Sequence, residues 1–303
     1  MTRTAKDCPG IGETLRRVAC RPPRAMIASL KSKTAQAVIL FAAVLGSGAP
    51  AGADALSPGR ALAARALGMS ELERVRLLSA LPVGERELFF RSLSVAEIVE
   101  LGRRSLAGLG IYQARATREE RVHGRLCGPD IVEVTVREKP RAVVLAFVGG
   151  EHKGRRALYN VLLRPREMLA RESGLLGIFT MWLSLDSSLV RRYTNHTIAE
   201  VGFGAMMDIV QAEQEKAASA GGYRRSDEGL DGRGLYCMFF EAPAGAKGLY
   251  ATRLRYCVDG KLGLPMKIEV FDDKGRREYV EYHDLQARLP VNEEFFTPQG
   301  AGL

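Results

Sequence analysis

The chain has 303 residues, of which 46% are hydrophobic and 26% are charged. This composition is typical of globular proteins and excludes the disordered, collagen-like and disulfide-scaffold classes. The formal net charge is +9, but residues 1–53 hold eight basic and two acidic residues, which leaves 36 basic against 33 acidic residues in the remainder. A nucleic-acid partner is therefore not expected.

The first 53 residues have the three parts of a secretory leader. Lys31 and Lys33 precede the uncharged apolar run 35–46, and small residues follow it. This pattern predicts a cleavable signal peptide that begins at Met26 and is cut after Ala53, with Ala55 as the second choice. The alternative is an uncleaved anchor, but a membrane span needs about 20 apolar residues and this stretch reaches that length only through Gly and Pro. We expect a periplasmic mature chain without a stable membrane span.

Three cysteines follow the leader. Cys237 and Cys257 lie in strand-like segments joined by a Gly-rich loop, so an antiparallel hairpin would place them opposite each other. In an oxidising compartment they are candidates for a disulfide, although two buried thiols are an equal alternative. Cys127 is left over, and no CxxC spacing occurs.

The hydrophobic period changes near residue 110. Before it, apolar residues recur at helical spacing, and Ser94 with Glu97 fits a capping box. After it, short alternating segments with hairpin-length connections predict an antiparallel sheet, interrupted by one helix over 197–218.

These patterns predict a leader over residues 1–53, a helical extension over 54–109 and a sheet domain over 110–303. The fold class is α+β. A long antiparallel sheet must cover its apolar face or close on itself, so we expect a strongly curved sheet, an unclosed β-barrel, wrapped over the helix.

Four segments resemble the bacterial DUF1571 family, "domain of unknown function 1571". Each motif is short, but the four occur in the family's order and cover residues 110–298. The segments are 112–124 (YQARATREERVHG), 154–159 (GRRALY), 196–203 (HTIAEVGF) and 263–269 (GLPMKIE), the last followed by Glu281-Tyr282.

The family is similar in fold to the periplasmic lipoprotein and lipid carriers of the LolA/LppX-like group. The end of the chain, residues 292–298 (NEEFFTP), resembles the Phe-x-Pro tail of such carriers. The resemblance implies an unclosed barrel capped by helices and, at fold level only, ligand binding. It supplies no activity that can be assigned to particular residues.

Catalytic motifs are absent from the sequence. No GxSxG, HExxH, SxxK or P-loop pattern occurs, and the four histidines lack metal-ligand spacing. Glu119 and Glu120 are neighbours on a strand and point to opposite faces. Arg118 and Glu120 share a face, where we expect a solvated ladder, and the histidines are expected in turns or at the surface. We therefore expect no catalytic residue, no cofactor and no metal.

The apolar segment 175–185 carries the only tryptophan and is the strongest candidate for ligand binding. Met and aromatic side chains adapt to acyl chains without polar partners, so this segment could act as a lid over a pocket. The alternative is that these side chains fill the sheet–helix core. The candidate pocket residues are Ile178, Phe179, Met181, Trp182, Phe203, Met206 and Met207.

Two functions from different classes remain open. The first is an exported carrier or sensor that binds a lipid or a lipoprotein acyl chain non-covalently. The second is a non-catalytic module of the cell envelope with a solid core, which docks a protein partner. A continuous apolar cavity would distinguish the first from the second.

Overall fold

The computed structural model describes residues 57–174 and 179–303. These residues belong to one compact unit. The predicted signal peptide, with its start at Met26 and its cleavage after Ala53, lies outside the described residues.

Four helices precede the sheet, and a serine caps the start of three of them. Ser70 and Ser94 each accept a hydrogen bond from the third helical residue, and Glu73 and Glu97 accept one from the serine backbone in return. These contacts satisfy amides that a helix start leaves without partners. The capping box predicted at Ser94 is confirmed. The helices are α1 (Pro58–Leu67), α2 (Glu71–Ala80), α3 (Val83–Ser92) and α4 (Val95–Leu109).

All eleven described strands form one sheet. They are β1 (Ile111–Val122), β2 (Arg125–Arg137), β3 (Ala142–Gly149), β4 (Arg156–Asn160), β5 (Glu167–Arg171), β6 (Thr180–Ser184), β7 (Arg224–Leu230), β8 (Leu235–Glu241), β9 (Arg253–Asp259), β10 (Pro265–Asp272) and β11 (Gly275–Gln286). Their order is β6-β5-β4-β3-β2-β1-β11-β10-β9-β8-β7, with antiparallel pairing throughout. Because β6 and β7 are edges, the sheet is not closed, and the predicted fold class is confirmed.

Two further helices lie between β6 and β7 in the chain: α5 (Ser188–Arg191) and α6 (Phe203–Ala218). α6 begins later than the predicted helix because Gly202, at φ 108°, interrupts the helical backbone. With 16 residues α6 is the longest described helix, and no described helix has the length and hydropathy of a membrane span.

The two faces of the sheet are covered differently. The inner face packs against α1–α4 and α6 in the main core, which contains the buried side chains of Tyr112, Val134 and Tyr256. On the outer face, Phe296 of the C-terminal tail packs over Val144 and its neighbours in a smaller core. The N-terminal helices thus share one core with the sheet.

The start of α6 is fixed to the inner face by two tyrosines. The Phe203 backbone N–H donates to the Tyr112 hydroxyl at 2.9 Å, and the Gly202 N–H donates to the Tyr282 hydroxyl at 3.2 Å. The Tyr112 hydroxyl donates in turn to Glu138, and its ring stacks on Phe203 with centroids 4.8 Å apart. These contacts set the position of α6 along β1.

The two sheet edges differ in protection. Strand β7 is charged and lies against α3, where Glu87 accepts a hydrogen bond from the Leu230 N–H at 2.9 Å and Arg225 donates to the Phe90 carbonyl. Strand β6 is apolar, and the exposed fractions at this edge are 64% for Phe179 and 38% for Met181. Charges within a strand are a common means of blocking an edge, and β6 carries no charged residue.

Candidate functional site

Three of the predicted pocket residues lie together in the main core. Phe203 and Met207 of α6 have no solvent-exposed surface, and Met206 is nearly buried. A void large enough for water would expose part of the side chains that line it. Protein atoms therefore fill the space around Phe203 and Met207.

The other predicted pocket residues do not join this group. Ile178 lies outside the described residues. Phe179 and Met181 are exposed at the edge of the sheet. Trp182 belongs to the outer face, where it packs in the smaller core and its ring lies 4.3 Å from the Arg164 guanidinium.

The segment 175–185 does not act as a lid in the described part. Residues 180–184 are paired with β5 along the whole of β6, and Leu185 donates its N–H to the Arg166 carbonyl at 2.9 Å. A strand held by backbone hydrogen bonds cannot leave the sheet without breaking them. The segment predicted as a lid, residues 175–185, therefore includes the edge strand of the sheet, and its residues 175–178 lie outside the described residues.

One apolar strip remains exposed on the inner face, next to the β6 edge. Met181 and Leu183 of β6 lie opposite Ala170 and Met168 of β5, and Met168 packs against the main core. Because opposed residues share a face, all four side chains lie on the inner side. We call Met168, Met181 and Leu183 the inner rim.

Two carboxylates lie opposite each other farther along the inner face. Glu120 of β1 pairs in register with Glu278 of β11, and both are 6% exposed. The predicted pairing of Arg118 with Glu120 is present, since the Arg118 guanidinium donates to the Glu120 carboxylate. It is not solvated as expected, because residues 194–196 cover Glu120 and Glu278. The carboxylate next to Glu120 comes from β11, which lies far away in the chain.

Each carboxylate accepts hydrogen bonds from the loop before α6. Glu120 accepts from the Thr194 hydroxyl at 3.0 Å and from the Asn195 backbone N–H. Glu278 accepts from the Asn195 side-chain amide at 3.0 Å, and its Oε2 lies 3.1 Å from His196 Nε2. We call the whole group the polar cluster; its members are Arg118, Glu120, Thr194, Asn195, His196, Tyr250 and Glu278.

The electrostatics of the polar cluster favour an ion pair. Burial disfavours the charged imidazole, but the hydrogen bond and charge of Glu278 outweigh it and raise the pKa of His196. Burial also opposes the carboxylate charge, yet donors led by His196 hold the pKa of Glu278 below its usual value. Burial and the charge of Glu278 raise the pKa of Tyr250, so this hydroxyl stays a donor.

A second histidine–carboxylate pair adjoins the polar cluster. Asp130 of β2 lies opposite Arg118, and its Oδ2 is 2.7 Å from His152 Nδ1. His152 lies in a turn, one of its two expected positions, but both residues are buried. Burial would raise the pKa of Asp130, but the hydrogen bonds from the His152 ring and backbone outweigh burial and lower it.

Two of the cysteines lie away from the polar cluster, on the outer face, whereas Cys127 of β2 lies opposite Glu120 of β1. Cys237 and Cys257 are opposed in the β8–β9 register and are joined by a disulfide. Cys127 takes no part in this bond. Within residues 57–174 and 179–303, no group of three or more His, Cys, Asp or Glu residues is arranged to hold a metal ion.

The comparison with protein families gives one match. The family model described as "Protein of unknown function (DUF1571)" matches residues 110–301, which is more than half of the chain. A comparison with curated proteins gives no match.

Solved structures with a similar fold include three bacterial proteins. An uncharacterized conserved protein from Thermus thermophilus has a TM-score of 0.40 at 10% identity, over 67% of this chain and 93% of that one. An outer membrane lipoprotein-sorting protein domain from Vibrio parahaemolyticus has a TM-score of 0.36 at 10% identity, over 69% and 99%. The lipoprotein LppX from Mycobacterium tuberculosis has a TM-score of 0.36 at 14% identity, over 65% and 97%.

Proposed function

This chain belongs to the DUF1571 family, and from its open sheet and exposed inner rim we propose that it binds a lipid or a lipoprotein acyl chain non-covalently. The observation that supports this function is the inner rim, an apolar strip on the helix-bearing face that stays partly exposed beside the uncharged edge strand β6. Burying an acyl chain there stabilises the complex by ~0.8 kcal/mol per methylene. Flexible Met side chains fit such a chain without polar partners.

The proposed place of action is the periplasm, reached through the predicted signal peptide. The disulfide between Cys237 and Cys257 supports an exported protein, because disulfides persist in oxidising compartments. A carrier or a sensor of envelope lipids would work there.

We propose a non-catalytic role. The polar cluster is where a reaction would be sought, since it brings together two carboxylates, a histidine and a tyrosine. Both carboxylates, however, already accept hydrogen bonds from within the chain, Glu120 from Thr194 and Glu278 from Asn195. A general base must lie within hydrogen-bond reach of its substrate, and both carboxylates are almost fully buried under the loop, so this arrangement favours holding a loop over moving a proton.

The direct test is native mass spectrometry of residues 54–303 purified from periplasm without detergent. We expect a bound species of lipid mass that is lost on organic extraction. Met181→Glu should abolish that species, because a charge would enter the apolar strip. The matched control is Leu162→Glu, since Leu162 is 66% exposed in the turn between β4 and β5, outside the inner rim.

The second candidate, an envelope interaction module with a solid core, is supported by the complete burial of Phe203 and Met207. If the protein shows only its ligand-free mass after phosphatidylglycerol vesicles are offered, the result favours the interaction module and overturns the proposed carrier function. Its partner would then be an envelope protein.

A further inference from the structure

Strand β6 is the last strand on its side of the described sheet, and half of its backbone groups face away from the sheet. Leu185, just after β6, directs its N–H toward β5, onto the Arg166 carbonyl at 2.9 Å. Backbone N–H groups alternate between the two sides of a strand, so the odd-numbered residues of β6 point to β5. The N–H and C=O groups of Thr180 and Trp182 therefore point outward, where another strand would pair with them.

The two edges of the described sheet differ in what they offer a further strand. At the β7 edge, charged residues line the strand and α3 lies against it, where Glu87 accepts a hydrogen bond from the Leu230 N–H. Strand β6 has no charged residue, and its Thr180 and Met181 side chains are exposed. A sheet protected at one edge and uncharged at the other accepts a strand at the uncharged edge.

The residues of β6 form a self-complementary pattern. The strand (TMWLS) reads polar, apolar, aromatic, apolar, polar in both directions. If a second copy of the strand runs antiparallel to the first about a two-fold axis at Trp182, Thr180 faces Ser184 and Met181 faces Leu183. This register is the one that pairs all five residues, and it sets no like charges against each other. A two-fold interface requires a patch that complements itself in this way.

The charges on β5 fit the same arrangement. Arg171 lies opposite Thr180, and Glu167 lies opposite Ser184. Across the two-fold axis, each row of the sheet would run from Arg171 through Thr180 to the partner subunit's Ser184 and the partner's Glu167. Opposite charges then end each row, about 14 Å apart at three strand spacings. A parallel alignment would instead set Arg171 level with Arg171 of the partner subunit, which is a repulsive arrangement.

We propose that β6 is the interface between two copies of this chain, paired antiparallel about Trp182 in one continuous sheet. Both outward edges of β6 are used up in this pairing, and the outer edges of the joined sheet are the two protected β7 strands. The assembly therefore closes at two copies and does not grow into a fibre.

The pairing would place residues of the second copy beside the proposed ligand site. Because opposed residues of a sheet share a face, Met181 would adjoin the partner subunit's Leu183 on the inner side. Each inner rim would thus continue into the other, from Met168 of one copy to Met168 of the partner subunit. A single apolar strip would then serve a longer acyl chain. This consequence rests on the proposed function, whereas the pairing itself is a property of the ligand-free protein.

Sedimentation equilibrium of residues 54–303 without detergent tests the pairing, over concentrations from the low micromolar to the submillimolar range. We expect a reversible monomer–dimer equilibrium. Thr180→Glu combined with Ser184→Glu sets two acidic side chains opposite each other at both ends of the interface, and should raise the dissociation constant roughly ten- to hundredfold. The matched control is Thr180→Glu combined with Ser184→Lys, which sets opposite charges against each other and should keep the dimer.

The outcomes separate the interface from misfolding and from the ligand. A monomer at every concentration overturns the pairing, and so do equal dissociation constants for the two double variants. If circular dichroism shows that a double variant is unfolded, Thr180→Pro must weaken the dimer or the pairing is wrong, because it removes an outward N–H and keeps the bonds to β5. A dimer without bound lipid in native mass spectrometry keeps the pairing and overturns the proposed function; a lipid-bound monomer does the reverse.

Discussion

Gly202, which directly precedes α6, lets this helix start close to the sheet because it has no side chain. Its backbone, at φ 108° and ψ 176°, lies in a region that only glycine adopts readily. A Cβ there would come within 2.6 Å of the Tyr112 hydroxyl. The start of α6 can therefore approach the inner face this closely only with glycine at this position.

Gly202→Ala should destabilise the protein by about 1–3 kcal/mol, from backbone strain and the clash with Tyr112. Urea unfolding followed by circular dichroism measures the loss. Gly84→Ala is the control, because Gly84 lies in α3 with nothing within 4 Å of an added Cβ, and it should be neutral or slightly stabilising. Equal stability of the two variants would contradict the role of Gly202.

The His196–Glu278 pair makes stability depend on pH with a defined sign. The raised pKa of His196 stabilises the fold at low pH, and that contribution is lost as pH rises from about 6.5 through the higher value in the folded state. The lowered pKa of Glu278 stabilises the fold above about pH 4.5, and this contribution to stability is lost as the pH falls. The His196–Glu278 pair therefore stabilises the fold most between about pH 4.5 and pH 6.5.

His196→Gln should therefore cost most stability in mildly acidic solution and progressively less as pH rises above about 6.5. The measurement is the difference in unfolding free energy from the unmodified chain, taken by urea titration at a series of pH values. His123→Gln serves as the control, since His123 is exposed in the turn between β1 and β2. A pH-independent difference at His196 would show that the charged pair contributes nothing.

At the scale of elements, the C-terminal tail is an integral cover of the outer face. Phe296 is completely buried, the Arg137 guanidinium lies 5.0 Å from its ring, and Asn160 donates to its carbonyl at 3.0 Å. Strands β3–β5 would otherwise present an apolar surface to solvent on this side. The tail is therefore part of the fold and not an extension of it.

Phe296→Ala should lower the unfolding free energy by about 3–5 kcal/mol, the usual loss for a buried phenylalanine. The same substitution at exposed Phe179 is the control and should change stability by less than about 0.5 kcal/mol. Thermal unfolding of the two variants, measured side by side, compares the losses. Similar melting temperatures would mean that the tail does not stabilise the sheet.

At the scale of the whole molecule, the four N-terminal helices complete the main core. Phe90 of α3 stacks on Tyr236 of β8 with centroids 4.9 Å apart, and Leu101 of α4 is fully buried in the same core. The family match begins at residue 110 and omits these helices. The matched region alone lacks the cover of one half of its inner face.

A chain starting at residue 110 should therefore expose apolar sheet surface. We expect strong binding of anilinonaphthalene sulfonate and loss of cooperative unfolding, because a sheet of this size needs its apolar face covered. The chain starting at residue 54 is the control. Cooperative unfolding of the shorter chain, with a denaturant slope scaled to its length, would show instead that the helices are dispensable.

Most of the elements could be predicted from local pattern, and the exceptions have a clear cause. The alternation of Val132, Val134 and Val136 identifies β2. The helical spacing of apolar residues before residue 110 identifies the N-terminal helices. Strand β7 was missed because its sequence (RRSDEGL) is charged and carries no apolar face. It is a strand because it pairs with β8 and is covered by α3, which are both tertiary contacts.

The candidate site was less predictable than the fold. The sequence by itself determined the antiparallel sheet and the covering helix, because periodicity and turn residues act over short distances. It also indicated Cys237 and Cys257 as candidates for a disulfide. Only the tertiary structure decided that Trp182 faces outward and that Glu120 meets Glu278. Which face a side chain takes, and which strand lies beside it, depend on register between segments far apart in the chain, where a shift of one residue reverses every side chain.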